Sequence, residues 1–438
     1  MAVRRKPRAV LWAAAAVLGV ACTMTSPMAS ATAAGASAGA TAATGTTAAT
    51  ASAATDPVLG GVFNNPIGTA AQQDAIITQM ERLIDATPAG EEIDISEYQY
   101  GLQEITDHLD AAYDRGVHVK VITNTGGGAP FDALVAHIGN NDKAASYAVF
   151  CNDQFPSQTR GCISTRSYTY GSGLTTYAYN HNKFMLFSKV VLSTGAAWSD
   201  VVLQTSSNLG TWYENTTYND SATFADPATY GGYKSYFTDL TSYRHSATGD
   251  DNYYRATPGG SQFRAWLFPH HENPGESFTD GTQTDTVVNI LKGVSCHYIG
   301  SDGTYQQTDI RIVMWSFTRT AVADQLASLR RAGCWVDVVY DPDEIHSDTL
   351  AALTFTNGPK LTPCSFTVSG RDIRSHTKTM LISGGLQGLT GPAVFTGSQN
   401  YAISSLRQAD ETLLRIDDPS IYAQYLHNFY AINTPCGG

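Results

Sequence analysis

The run Ile93-Asp94-Ile95-Ser96-Glu97-Tyr98-Gln99-Tyr100 has a counterpart 217 residues later in Ile310-Arg311-Ile312-Val313-Met314-Trp315-Ser316-Phe317. The two segments stay in step without a gap: Leu109 falls on Leu326, and Gly116-Val117-His118-Val119-Lys120-Val121 on Gly333-Cys334-Trp335-Val336-Asp337-Val338. Each copy reads as a strand, a helix with apolar residues three and four apart, a glycine stop and a second strand. That is a βαβ unit, which requires neighbouring parallel strands joined by a right-handed crossover. Upstream, Val62-Phe63-Asn64-Asn65-Pro66 turns into a helix through Asp74, Ile77 and Leu83. Leu267-Phe268-Pro269-His270 likewise turns into one through Asp285, Val288 and Leu291. The chain is therefore expected to be a duplicated α/β protein with mixed, largely buried sheets, its halves spanning 56–255 and 256–438.

Both copies continue, after a long variable loop, into a second shared pattern. Asn180-His181-Asn182-Lys183-Phe184-Met185-Leu186 matches Ser375-His376-Thr377-Lys378-Thr379-Met380-Leu381, a His-x-Lys opening to an apolar run that reads as a buried strand. In a strand, positions i and i+2 share a face, so each His and Lys project together. Ser206-Ser207-Asn208 follows the first copy and Ser398-Gln399-Asn400 the second, each read as part of a further strand in which Ser and Asn share a face. A single exposed His is usually only a surface residue. Two matched sets of His, Lys and Asn call for a common function.

Residues 1–30 have a basic start (Arg4, Arg5, Lys6, Arg8), an apolar stretch from Ala9 to Ala21 and the small-residue site Ala29-Ser30-Ala31, the pattern of a secretory signal peptide. Residues 31–55, nearly all Ala, Thr, Ser and Gly, read as a flexible linker. Export makes the cysteines informative. With Cys22 removed, six remain, and an even count in an oxidising compartment points to three disulfides. Cys151–Cys162 flank a short loop and pair on that ground; Cys296–Cys334 and Cys364–Cys436 are an arbitrary choice for the rest. No Cys-x-x-Cys occurs to suggest zinc. Removing the four basic leader residues leaves 23 Lys and Arg against 39 Asp and Glu, a charge near −16. Such acidity disfavours a protein that lives on non-specific contact with nucleic-acid phosphates.

Paired His-x-Lys motifs, each followed by Ser-x-Asn, in a duplicated α/β chain resemble the phospholipase D superfamily, and the resemblance runs from about residue 58 to the end. It implies a duplicated α/β/α sandwich, two mixed-sheet halves related by a pseudo-two-fold axis with the active site between them. By that resemblance, His181 attacks phosphorus to form a phosphohistidine and His376 is the general acid, although the family also allows the opposite assignment. Lys183, Lys378, Asn208 and Asn400 would hold the phosphoryl oxygens, with Ser206 and Ser398 orienting their neighbours. The residue types suit this chemistry: a phosphodiester repels anions, so it calls for a neutral nucleophile such as imidazole, surrounded by cations. An acidic residue about ten to twelve positions beyond each Asn fixes the histidine tautomer in the family. Here Glu411 and Asp220 are the candidates, although strict alignment puts Asn219 opposite Glu411. One departure stands out: the family motif's aspartate, five residues after the lysine, is serine in both halves, Ser188 and Ser383.

The function implied is a secreted phosphodiesterase that hydrolyses or exchanges glycerophospholipid head groups at a membrane or micelle surface. It would need no metal or organic cofactor and act as a monomer without a stable protein partner. The same residues would serve another phosphodiester, in nucleic acid or a cell-wall polymer, and a catalytically silent binding protein of the same fold is a third possibility. Outside this set, His270-His271-Glu272 and Asp341-Pro342-Asp343-Glu344 are compositionally able to bind cations but read better as loops. The tyrosines between Tyr168 and Tyr254 suit either a lipid-facing rim or loop packing.

Overall fold

The computed structural model describes residues 56–126, 128–259 and 262–438; the expected leader and linker lie outside them. In the first half, strands β1 (Gly60–Phe63), β2 (Glu92–Tyr100), β3 (His118–Gly126), β4 (Tyr147–Phe150), β5 (Phe184–Val191), β6 (Ala197–Thr205) and β7 (Asp220–Ala225) accompany helices α1 (Ala75–Asp85), α2 (Gln103–Asp114), α3 (Gly128–Ile138) and α4 (Pro227–Tyr243). The second half repeats the series with β8 (Phe263–Leu267), β9 (Asp309–Met314), β10 (Trp335–Tyr340), β11 (Lys360–Pro363), β12 (Lys378–Leu386), β13 (Leu389–Gly397) and β14 (Thr412–Ile416). Its main helices are α5 (Thr286–Lys292), α6 (Thr320–Arg331) and α7 (Pro419–Asn433), with shorter ones at Ser347–Leu353 and Ile403–Arg407.

The two sheets have the same strand order, β1-β7-β6-β5-β2-β3-β4 and β8-β14-β13-β12-β9-β10-β11. The expected parallel pairs are present, with Ile93 beside Val119 in one half and Ile310 beside Val336 in the other. The sheets are mixed, because β5 and β12 run antiparallel to β2 and β9. Gly116 and Gly333, the expected helix stops, take φ of 95° and 100°, a region glycine occupies without a Cβ penalty.

Burial follows the two-residue period of the strands. Met185 and Phe187 face an outer core with α1 and α2, while Phe184 and Leu186 face inward. In the second half Met380 and Ile382 face the outer core with α5 and α6, and Leu381 faces inward. The inward faces share one central core, filled by α4 and α7 through Tyr233, Tyr236, Phe237, Tyr425 and Phe429. These helices lock the halves together: α4 packs on β8, α7 packs on β1, and the Gly61 amide donates to Gln424 Oε1 at 2.7 Å.

Two sequence expectations need correcting. The segments before the first helix of each half, read as turns, contain strands β1 and β8, which pair with β7 and β14; β1 is the edge of its sheet, while β8 pairs on its other side with Arg255–Ala256. The Ser-x-Asn motifs, read as strand, lie just past the ends of β6 and β13, where the chain turns into the cleft. Disulfides join Cys151–Cys162, Cys296–Cys334 and Cys364–Cys436. No helix among the described residues is long and apolar enough to cross a membrane.

Candidate active site

Each His-x-Lys motif sits at the mouth of its strand: His181 lies just before β5, and His376 just before β12. The short strand entering each motif pairs in parallel with a short strand of the opposite half. Tyr179–Asn180 lies along Ala409–Asp410, and the His181 amide donates to the Asp410 carbonyl at 2.9 Å. Reciprocally, Arg374–Ser375 lies along Thr217–Tyr218, and the His376 amide donates to the Tyr218 carbonyl at 2.9 Å. This pairing places the residue that follows each short strand behind the other half's imidazole.

Behind His181 stands Glu411, its Oε1 3.0 Å from Nδ1. Behind His376 stands Asn219, its Oδ1 3.0 Å from Nδ1. Asp220, the expected partner, is directed elsewhere: its Oδ2 accepts from the Tyr425 hydroxyl at 3.0 Å and from Thr396. Successive strand residues face opposite sides, so the register that aims Asn219 into the cleft turns Asp220 into the central core. The amide cannot flip without loss. Its Nδ2 donates to the Tyr213 carbonyl and Thr217 Oγ1 at 2.9 and 2.8 Å, and its Oδ1 also accepts from Ser206 at 3.1 Å.

Ser206 and Ser398 occupy equivalent places, accepting the amides of Asp220 and Thr412 at 3.0 and 2.9 Å. Each lysine folds back on its own motif: Lys183 Nζ donates to the His181 carbonyl at 2.8 Å, and Lys378 Nζ to that of His376. Asn400 Oδ1 accepts from the Ser316 amide at 3.3 Å, while the Asn208 side chain lies within hydrogen-bonding reach of Tyr213. All ten predicted residues are buried. Nine of them line or brace one cleft between the halves, Asp220 being the exception.

Burial drives the electrostatics. It lowers the His181 pKa to about 4, with Glu411 opposing and Lys183 assisting, so the imidazole is neutral near pH 7. Burial and then the two lysines hold His376 well below its ordinary value. Lys183 falls to about 8 and Lys378 also falls, because each is desolvated. Burial pushes the Glu411 carboxyl up, but His181, Lys183 and Ser398 together outweigh it and leave it below its ordinary range. A neutral His181 that donates through Nδ1 presents Nε2 with a free lone pair.

A family model described as cardiolipin synthase, PLD-like domain, matches residues 81–241 and 305–432, which carry both His-x-Lys motifs. The chain belongs to the phospholipase D superfamily. No curated protein matches it. Among solved structures, this superfamily member is similar to the phosphatidylserine synthase of Haemophilus influenzae (11% identity, TM-score 0.49, 85% of this chain and 87% of that one). It is also similar to the yeast tyrosyl-DNA phosphodiesterase (8%, 0.42, 82% and 89%) and to the polyphosphate kinase of Porphyromonas gingivalis (12%, 0.49, 84%). It spans about half the length of that kinase.

The two serines that replace the motif aspartate lie far along their strands from the histidines. Ser188 accepts the Glu92 amide and donates to Glu91 Oε2, both at 2.8 Å, and Ser383 lies beside Tyr422. Both positions brace strands. The two clusters read as loops are occupied internally: Glu272 grips Arg166 at 2.6 and 2.7 Å, His270 stacks on Tyr254, and Asp341 and Asp343 hold Arg374.

Sequence reading grouped Tyr179 and Tyr213 among the tyrosines between Tyr168 and Tyr254, but did not single out Tyr98, Trp212 or Trp315 as walls of the cleft. Tyr98 and Tyr179 lie 5.0 and 5.5 Å from the His181 ring, and Tyr213, Trp315 and Trp212 lie 5.1, 5.4 and 6.5 Å from that of His376. Asp410, the acidic neighbour passed over in favour of Glu411, has a carboxylate that accepts the backbone amides of Cys162, Ile163 and Ser164 at 2.6, 3.0 and 2.9 Å. This contact ties the Cys151–Cys162 loop to the strand that presents Glu411. The adjacency of Asp410 to Glu411 was the available signal. For Trp212 and Trp315, which come from different halves, there was none.

Proposed function

We propose that this protein is an exported phosphodiesterase of the phospholipase D type that cleaves glycerophospholipids on the head-group side. The observation carrying this reading is the pair of imidazoles whose Nδ1 atoms are each engaged by the opposite half, which leaves both Nε2 atoms for chemistry. The negative charge of the bound phosphodiester favours the protonated form of His376. His181 Nε2 forms a bond to phosphorus as the bond from phosphorus to the head-group oxygen breaks, and the His376 imidazolium gives that oxygen its Nε2 proton. Water or an alcohol then gives a proton to His376 and displaces His181. Lys183, Lys378, Asn208 and Asn400 supply charge and hydrogen bonds to the phosphoryl oxygens.

The aromatic cleft walls and the acidic surface charge support a lipid over a polyanionic nucleic acid. Three disulfides support an oxidising destination. The test is choline release from phosphatidylcholine vesicles by the mature protein with chelator present, beside His181→Ala and His376→Ala. Release that survives chelation and disappears in both variants is expected, with a phosphohistidine trapped by rapid denaturation at alkaline pH in the wild type. Folded protein that releases nothing, or a His181→Ala variant with near wild-type turnover, overturns the reading.

A further inference from the structure

We propose that Asp410 is a positioning residue for the attacking histidine: its carboxylate, gripped by the loop that Cys151–Cys162 closes, holds Glu411 in register behind His181. The inference rests on the reading above, in which His181 is the nucleophile and Glu411 its charge partner. The Asp410 side chain makes no hydrogen bond to either imidazole among the described residues. It acts through the strand to which it belongs.

The grip is built from both sides. Asp410 is fully buried, its Oδ2 accepting the Cys162 and Ile163 amides and its Oδ1 that of Ser164. The two peptide groups that aim the first pair of N–H bonds at Asp410 turn their carbonyls to a buried guanidinium. Arg160 Nε donates to the Gly161 carbonyl and Nη2 to that of Cys162, both at 3.0 Å. Arg160 is itself fixed on the Ser246 and Tyr243 carbonyls at 2.6 and 3.1 Å. Gly161 makes room for the carboxylate: a Cβ there would lie 2.5 Å from Asp410 Oδ2 and 2.6 Å from Ser164 Oγ. Successive amides converging on both oxygens form a nest that fits an anion, whereas an Asn would set an N–H against an N–H.

The strand is pinned on either side of its nest. Gln408 Nε2 donates to the Arg166 and Thr176 carbonyls, both at 3.1 Å, and its Oε1 accepts from Thr176 Oγ1 at 2.8 Å. The Asp410 carbonyl accepts the His181 amide, so the next side chain, Glu411, meets Nδ1. The opposite strand lacks this anchor. Tyr218 precedes Asn219 as Asp410 precedes Glu411, but its buried hydroxyl has no hydrogen-bond partner among the described residues. The anchor therefore stands only behind the ring that bonds to phosphorus. Burial raises the Asp410 pKa to about 7 and the three amides oppose the rise, so an assay at pH 8 keeps the carboxylate charged.

The experiment measures kcat and KM for bis(p-nitrophenyl) phosphate at pH 8 in wild type, Asp410→Asn, Glu411→Gln and the double variant, with circular dichroism to check folding. A misplacement of about 1 Å can cost about a hundredfold, so Asp410→Asn is expected to lower kcat by about tenfold or more with KM within about twofold. In the Glu411→Gln background the same exchange is expected to cost less than about threefold, because the group it positions is already gone; a purely structural residue would give the same loss in both backgrounds. A kcat loss below about twofold in folded Asp410→Asn, or equal losses in both backgrounds, overturns the proposal. If Asp410→Asn does not fold, Gly161→Ala, which presses on the carboxylate from the loop side, is judged by the same criteria. If wild type cleaves neither this diester nor phosphatidylcholine, the phosphodiesterase reading fails and the anchor is judged by proton NMR instead. A downfield His181 Nδ1–H resonance, identified by its loss in His181→Ala, is expected in wild type and is expected to shift or broaden in Asp410→Asn. Its absence from wild type, or a resonance unmoved in the folded variant, overturns the anchor.

Discussion

Replacing Glu411 by Gln keeps the shape of the side chain behind His181 and removes its charge. The carboxylate is fully buried and 3.0 Å from Nδ1. When His181 takes up phosphorus its ring becomes cationic. For charge centres about 4.5 Å apart in an effective dielectric of about 20, the attraction is about 4 kcal/mol. The phosphoryl group carries compensating negative charge, so about 2–4 kcal/mol of transition-state stabilisation is at stake, or roughly 30- to 1,000-fold in kcat/KM. The assay is kcat/KM for bis(p-nitrophenyl) phosphate at pH 7, with circular dichroism to establish an intact fold. A loss below threefold in a folded variant would refute the assignment of Glu411 as the charge partner. The mirror exchange is not equivalent. In Asn219→Asp an oxygen replaces Nδ2 against the Tyr213 carbonyl, so the variant is expected to lose about 1–3 kcal/mol of stability rather than gain a second carboxylate partner, as urea unfolding would show.

Arg166 holds the Glu272 pKa at about 2, outweighing burial. A carboxyl depressed on folding stabilises above its unfolded value of about 4.5 and loses that contribution as pH falls towards 2, so wild type should exceed Glu272→Gln by about 1–2 kcal/mol at pH 7 after solvent screening. Urea unfolding should show the gap narrowing by pH 3. Arg319, fully buried with Asp285 at 2.8 Å, also donates to the Asn400 carbonyl at 3.2 Å. Arg319→Met should therefore cost about 3–5 kcal/mol in denaturant unfolding and lower turnover as well. Replacing Cys364 and Cys436 by Ser opens a link across 72 residues and should cost about 2–4 kcal/mol by the same measurement.

The βαβ units and the His-x-Lys strands were legible because apolar periodicity, glycine stops and an unbroken register all agree between Ile93 and Val121 and between Ile310 and Val338. Strands β1 and β8 were not. Each is short, and its pairing partner lies about 150 residues away, in β7 and β14. Helices α4 and α7 carried an unread signature: Asp226-Pro227 and Asp418-Pro419 repeat an N-cap whose carboxylates accept Thr229, Ser420 and Ile421 amides. At Asn219 the preference for a carboxylate overrode the register, although the alignment with Glu411 already pointed to the amide. The Trp212–Trp315 contact was beyond local pattern, since it exists only once the halves close.

The exchange of partners across the cleft, His181 on Glu411 and His376 on Asn219, has the form of a two-fold, self-complementary interface between identical subunits. In a homodimer encoded by one gene, both histidines would necessarily meet the same residue. Any substitution good for the attacking ring would be imposed on the proton donor too. Joining two copies in one chain removes that constraint. A carboxylate behind one ring and an amide behind the other is an arrangement open only to the fused form, and it lets the nucleophile and the acid be tuned separately.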